Sequence, residues 1–197
     1  MDYSKIGKLI FALRKEKQMT QKQLADAMNL SDRTISKWER GLGCPDVSLL
    51  YELSALLGVN IEQILSGELE EGERGAGNMK QIQFYVCPAC GNILWGTGKM
   101  DVSCCGRRLT ALKAQKEEPP HEMHVQEVEN EYYITVPHEM TKSHYLSFIA
   151  SVSYDRVLVV KLYPEQDACV RIPRIPRADL YLYCSEHGLW RKEKNSF

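Results

Sequence analysis

No histidine occurs in the first 120 residues of this 197-residue chain; all five lie from position 121 onward. Imidazole chemistry is therefore confined to the C-terminal part. No apolar run is long enough to span a bilayer. The stretch Leu9-Ile-Phe-Ala-Leu13 ends at Arg14 without a small-residue cleavage site, which excludes a signal peptide. An excess of either charge is missing too, since 25 basic and 26 acidic residues leave a formal net charge of -1. No overall field gathers nucleic acid, so any DNA contact must come from a local face. These absences lead us to expect a cytoplasmic protein with no membrane partner. In that reducing compartment seven cysteines, an odd count, read better as metal ligands than as disulfides.

What is present changes character twice along the chain, which argues for several small modules. The expected fold class is multidomain, α then β: five short helices over residues 1–67, a metal knuckle over 81–112 and a β-sandwich over 121–197. Residues 68–80 are charged, glycine-rich and poor in anything to bury, so they read as a flexible tether, and 113–120 as a short polar linker.

In the first module, apolar residues at Ile6, Leu9, Ile10 and Leu13 recur with helical spacing, and Thr20, Ser31 and Asp46 are good N-caps for the segments that follow. The runs Met19-Thr-Gln-Lys-Gln-Leu-Ala25, Leu30-Ser-Asp-Arg-Thr-Ile-Ser-Lys-Trp-Glu-Arg-Gly41 and Leu53-Ser-Ala-Leu-Leu-Gly-Val59 resemble the phage-repressor helix-turn-helix family, the Cro/C1 or XRE type. That resemblance implies a recognition helix beginning near Asp32 and entering the major groove of a double-stranded DNA operator. Asp32, Arg33, Ser36 and Lys37 would face the base edges, with Ser31 at the helix start. Gln21 and Arg40 would contact the phosphate backbone. Arg14 and Glu39 would pair as an internal salt bridge. The family also implies a homodimer reading two half-sites.

In the second module, Cys87-Pro-Ala-Cys90 presents two thiolates to one metal. Zinc ribbons and rubredoxins usually repeat that spacing, whereas here Cys104 and Cys105 are adjacent and Gly106 follows. The pattern resembles the desulforedoxin module, a small rubredoxin-like knuckle, and implies one iron held by four sulfurs. Zinc suits the same set, and spacing does not choose between them.

In the third, alternating segments at 132–136, 145–154, 157–163, 169–172 and 179–184 read as strands. His138-Glu-Met-Thr-Lys-Ser-His144-Tyr-Leu and Cys184-Ser-Glu-His187-Gly-Leu-Trp190 resemble the iron site of superoxide reductases, so residues 81–197 look like a whole desulfoferrodoxin with an Ig-like sandwich. The resemblance implies iron held by four equatorial imidazoles and an axial thiolate, with the sixth position open to superoxide. His138, His144 and His187 would be equatorial and Cys184 axial. The fourth imidazole aligns best with His124 in Glu122-Met-His-Val125, with His121 as the alternative. On that alignment Met123 replaces the family's active-site lysine, which Lys142 would have to substitute, and in a working reductase Glu122 would be the mobile sixth-position ligand. Cys44 and Cys169 match no ligand motif.

Losing a cation at the site slows encounter with anionic superoxide and weakens acid catalysis. The reading that follows is a DNA-binding transcription regulator whose iron module senses superoxide, redox or iron status. The alternative is a working superoxide reductase that carries a helix-turn-helix and takes electrons from a donor protein.

Overall fold

A computed structural model describes residues 2–69 and 77–193. Most of the expected tether, residues 70–76, lies outside the described residues, as do 194–197 of the expected sandwich. The chain divides into two compact units, residues 1–72 and 73–197.

The first unit is five helices: α1 (Tyr3–Glu16), α2 (Gln21–Ala27), α3 (Asp32–Glu39), α4 (Val47–Leu57) and α5 (Ile61–Ser66). Their starts follow from capping. Thr20 and Gln23 form a reciprocal capping box on α2, Ser31 Oγ accepts the Thr34 amide on α3, and Asp46 accepts from Ser48 on α4. Ile6, Ile10, Leu24, Ile35, Leu53, Leu57 and Ile64 share one core. Helices α1 and α3 meet closely at Gly7, where a Cβ would lie 2.2 Å from the Trp38 carbonyl oxygen.

The second unit is β-rich, as the alternation predicts. A 3-10 turn at Met79–Gln81 leads into two hairpins, β1 (Gln83–Val86) with β2 (Ile93–Gly96) and β3 (Val102–Cys104) with β4 (Arg107–Leu109). Then come β5 (Gln115–Lys116), β6 (His124–Val128), β7 (Glu131–Thr135), β8 (Leu146–Val152), β9 (Val157–Lys161), β10 (Cys169–Pro173), β11 (Asp179–Cys184) and β12 (Gly188–Lys192). They form sheets ordered β10-β7-β6 and β5-β12-β11-β8-β9, antiparallel except for the β5–β12 pair.

Ile134, Ile172, Leu146, Ile149, Leu180 and Leu182 fill the core between these sheets. Strand β8 is buried along its whole length because its other face is covered as well. There Phe148, Ala150 and Val152 pack with Phe84 of β1, whose ring lies 5.5 Å from Phe148 and 5.3 Å from Tyr181. The knuckle thus shares a core with the sandwich. Strands β6 and β12 lie outside the segments read as strands from alternation.

Candidate metal centres and DNA-contacting face

The four knuckle cysteines converge because two turns aim them. The Gly91 amide donates to the Cys87 carbonyl at 2.8 Å and the Cys87 amide to the Asn92 carbonyl at 2.9 Å, folding Cys87 and Cys90 onto one side. Across from them Cys105 and Gly106 form the two-residue loop between β3 and β4, with φ of 50° and 71°. Two positive φ values mark the primed turns that suit hairpins, and the second strongly favours glycine. Because Cys105 leaves the pleat, it joins Cys104 instead of pointing the opposite way. All four sulfurs lie within 4.8 Å of one another, with Cys90–Cys104 at 3.6 Å and Cys104–Cys105 at 4.0 Å. A tetrahedron of sulfurs about 2.3 Å from a metal has edges of about 3.8 Å, so the set fits one ion.

The thiols are electrostatically unequal. Backbone N–H groups of Cys90 and Ala89 hold Cys87 down to about 7. Cys105, hydrogen-bonded to Cys90 and Cys104, is pushed up to about 12.

In the second cluster donor atoms of His121, His144, Cys184 and His187 lie within 4.8 Å of one another, and His138 joins them through its contact with Cys184. Between β7 and β8, His138 and His144 are brought together by a turn in which the Thr141 amide donates to the His144 carbonyl at 2.9 Å and the His144 amide to Thr141 Oγ1 at 3.0 Å. Cys184 ends β11, where a register shift after Tyr183 re-aims its side chain, and His187 lies across the short turn to β12. Cys184 Sγ is 3.5 Å from His138 Nε2 and 3.4 Å from His187 Nδ1, which is 3.2 Å from His144 Nε2. Adjacent donors about 2.1–2.3 Å from one ion sit about 3 Å apart, so these spacings suit a shared metal.

His121 supplies the fourth imidazole. It is buried, and its ring centroid lies 5.3 Å from His138 and 5.0 Å from His187. Its Nε2 is buried without a hydrogen-bond partner, as expected for an atom whose partner is a metal. Burial, with the other imidazoles adding to it, pushes His121 down to about 4, so the ring is neutral and its lone pair free at neutral pH. Burial lowers His138 too. Glu139 Oε1 lies 3.5 Å from His144 Nδ1, the kind of carboxylate that orients a metal-bound imidazole.

In the first unit, α3 turns Ile35 and Trp38 inward and leaves Asp32, Arg33 and Lys37 exposed, with Ser36 half-buried. Ser31 is occupied as a cap, Asp32 accepts the Arg33 amide at 2.8 Å, and Arg40 Nε donates to the Ser36 carbonyl at 3.1 Å. Arg14 and Glu39, each 4% exposed, pair through Nε–Oε1 at 2.5 Å and Nη2–Oε2 at 2.9 Å. Gln21 Nε2 also donates to Glu39, at 2.7 Å.

A helix-turn-helix family model matches residues 10–64. The HTH-type transcriptional activator BcrR of Enterococcus faecalis is 41% identical over 78 residues, which cover 38% of this chain and 38% of that protein. The chain thus spans little more than a third of that relative. A desulfoferrodoxin of Clostridium acetobutylicum is 28% identical over 121 residues, 57% of this chain and 96% of that protein. An XRE-type helix-turn-helix domain is here joined to a desulfoferrodoxin homologue. The fold agrees: the superoxide reductase of Treponema pallidum superposes with a TM-score of 0.51 at 18% identity, covering 57% of this chain and 98% of that one. The homology and the His/Cys groups together suggest iron binding.

Within the desulfoferrodoxin-like unit the structure places the residues around the fourth imidazole differently from the motif alignment. His124 is exposed on β6 opposite Thr135, because Val125 takes the inward position against Ile134, and His121 stands in the cluster instead. Met123 is 1% exposed in the sandwich core, so it is not at the mouth of the site. The residue before His121 is Pro120, and no lysine stands there either. Lys142 is 81% exposed and lies 3.9 Å from Glu165. Glu122 is half-buried beside His121 in the chain. Sequence reading missed Trp190 as a neighbour of the site: its indole stacks on His121 at 4.5 Å. The signal was Cys184-x2-His187-Gly-Leu-Trp, which puts Trp190 two residues into the strand leaving the cluster.

Proposed function

We propose that this chain is a DNA-binding transcription regulator whose desulfoferrodoxin-like unit binds iron and reports superoxide, another small oxidant or iron status. The observation that supports it most is the convergence of His121, His138, His144, His187 and the buried Cys184 in a chain that begins with an XRE-type domain. Iron bound there supplies one-electron redox chemistry toward a small oxidant. The four imidazoles enter as neutral donors and Cys184 brings the negative charge, a set that suits the ferrous ion. The knuckle cysteines Cys87, Cys90, Cys104 and Cys105 hold a second metal, iron or zinc.

On the DNA side, Arg33 reads guanine with its forked donors, Asp32 accepts from cytosine, and Ser36 and Lys37 complete the reading face. Gln21, Ser31 and Arg40 fix position on the backbone. The working form is a cytoplasmic homodimer, and a change of metal state shifts its affinity for the operator. Reduced and oxidised protein must then bind one DNA fragment differently; equal binding removes the reading.

A second reading, superoxide reductase activity fed by an electron donor protein, is favoured by the same five donors. It is weakened because Pro120, not a lysine, stands directly before His121. Mixing reduced protein with superoxide in a stopped flow separates the two: repeated turnover at near-diffusional rates supports the enzyme, and a single slow oxidation supports the sensor.

A further inference from the structure

The segment from Glu117 to Met123 carries His121 from the edge of the sheet to the imidazoles, and one side chain ties its two ends. Glu117 Oε2 accepts the Met123 backbone N–H at 3.1 Å, while Oε1 accepts from Lys192 Nζ at 2.5 Å. The Lys192 and Glu117 side chains are 10% and 13% exposed. The Glu117 amide also donates to the Arg191 carbonyl at 3.3 Å, beyond the end of the β5–β12 ladder.

Burying an ion pair costs desolvation that its attraction often only balances, and apolar replacements are commonly neutral or stabilising. Stability is therefore a weak account of this pair, and placement is a stronger one. Along β12, Trp190 and Lys192 are two residues apart and so share a face. Trp190 lies flat against the His121 ring, 4.5 Å away and 7° from coplanar, while Lys192 anchors the base of the same segment. Met123, buried in the sandwich core, fixes the far end.

We propose that Glu117 is a positioning residue for His121: with Lys192 and Trp190 it holds the fourth imidazole at the metal centre although it touches no ligand itself. The proposal rests on the reading of that cluster as an iron site.

The test uses the full chain as wild type, E117A, E117L/K192M and, as the reference for a lost ligand, H121A. Ferrous affinity at the imidazole site is measured by competition with a chromophoric chelator, together with the ferric absorption and electron paramagnetic spectra; the metal of the four-thiolate knuckle is the internal control. We expect E117A and E117L/K192M to lose about ten- to a hundredfold in affinity and to shift the ferric spectra toward those of H121A, with the knuckle site unchanged. The double variant has no unpaired buried charge and leaves only the Met123 N–H without its acceptor, so it is expected to melt within a few degrees of wild type and above E117A. Wild-type affinity and spectra in E117L/K192M would overturn the proposal, as would an affinity loss that only accompanies a melting temperature lowered further than that. Wild-type protein that takes up no metal beyond the knuckle site overturns the iron reading, and the proposal falls with it.

Discussion

His121 lies against the face of Trp190, with ring centroids 4.5 Å apart and planes 7° from parallel. The stack presents His121 toward His138 and His187 and leaves His124 outside on β6. Substituting each histidine by alanine separates them. H121A should lose iron from the imidazole site by at least tenfold in affinity, whereas H124A should keep wild-type iron content and spectrum. Metal analysis after anaerobic desalting checks it, and the opposite pattern would move the ligand to His124.

Met123 gives a second contrast. Were it at the mouth of the site, M123K would supply the missing cation and speed the reaction with superoxide. It is 1% exposed among apolar residues. M123K should therefore destabilise the unit by about 3 kcal/mol or more, as an unpaired buried charge does, and bring no gain in rate. Denaturant titration and stopped-flow mixing read the two effects.

Glu39 links stability to the proposed DNA contact. It holds the buried Arg14 guanidinium and the Gln21 amide together. E39A leaves Arg14 unpaired, so the helical unit should lose about 3–5 kcal/mol. R33A should leave stability within about 0.5 kcal/mol of wild type, since Arg33 is exposed, and relax specificity at one base pair by about 1–3 kcal/mol.

Loading of the knuckle should depend on pH. A thiol must lose its proton to bind, and Cys105 sits at about 12 and Cys87 at about 7 before metal enters. At neutral pH Cys105 is protonated and Cys87 only partly ionised, so uptake releases protons and apparent affinity rises with pH. Below pH 7 even Cys87 is protonated and affinity falls more steeply. Zinc competition at pH 6, 7 and 8, with proton release followed by an indicator dye, checks the sign; affinity that does not change would contradict it.

Much of this architecture was legible because local rules and tertiary structure agree. Thr20, Ser31 and Asp46 cap the helices they precede, and the alternation around Phe148 and Leu180 marks strands whose faces are both filled or half-filled. The Cys-Cys-Gly run makes sense once Cys105 and Gly106 are seen as a hairpin loop. The choice between His124 and His121 was not legible, because a Glu-x-His-Val match carries no information about which face of β6 turns inward; pairing with β7 puts His124 outside. Nor could spacing show Glu117 and Lys192 meeting, since 75 residues separate them.

In the proposed regulator, metal state reaches the DNA-binding face. The direct measurement is DNA affinity at fixed salt, using a fragment selected from a random pool by reduced, iron-loaded protein and titrated with reduced, oxidised and metal-free full-length chain. A regulator predicts dissociation constants differing about 5- to 150-fold between states, the usual range for coupled sites. Identical constants in all three would contradict it.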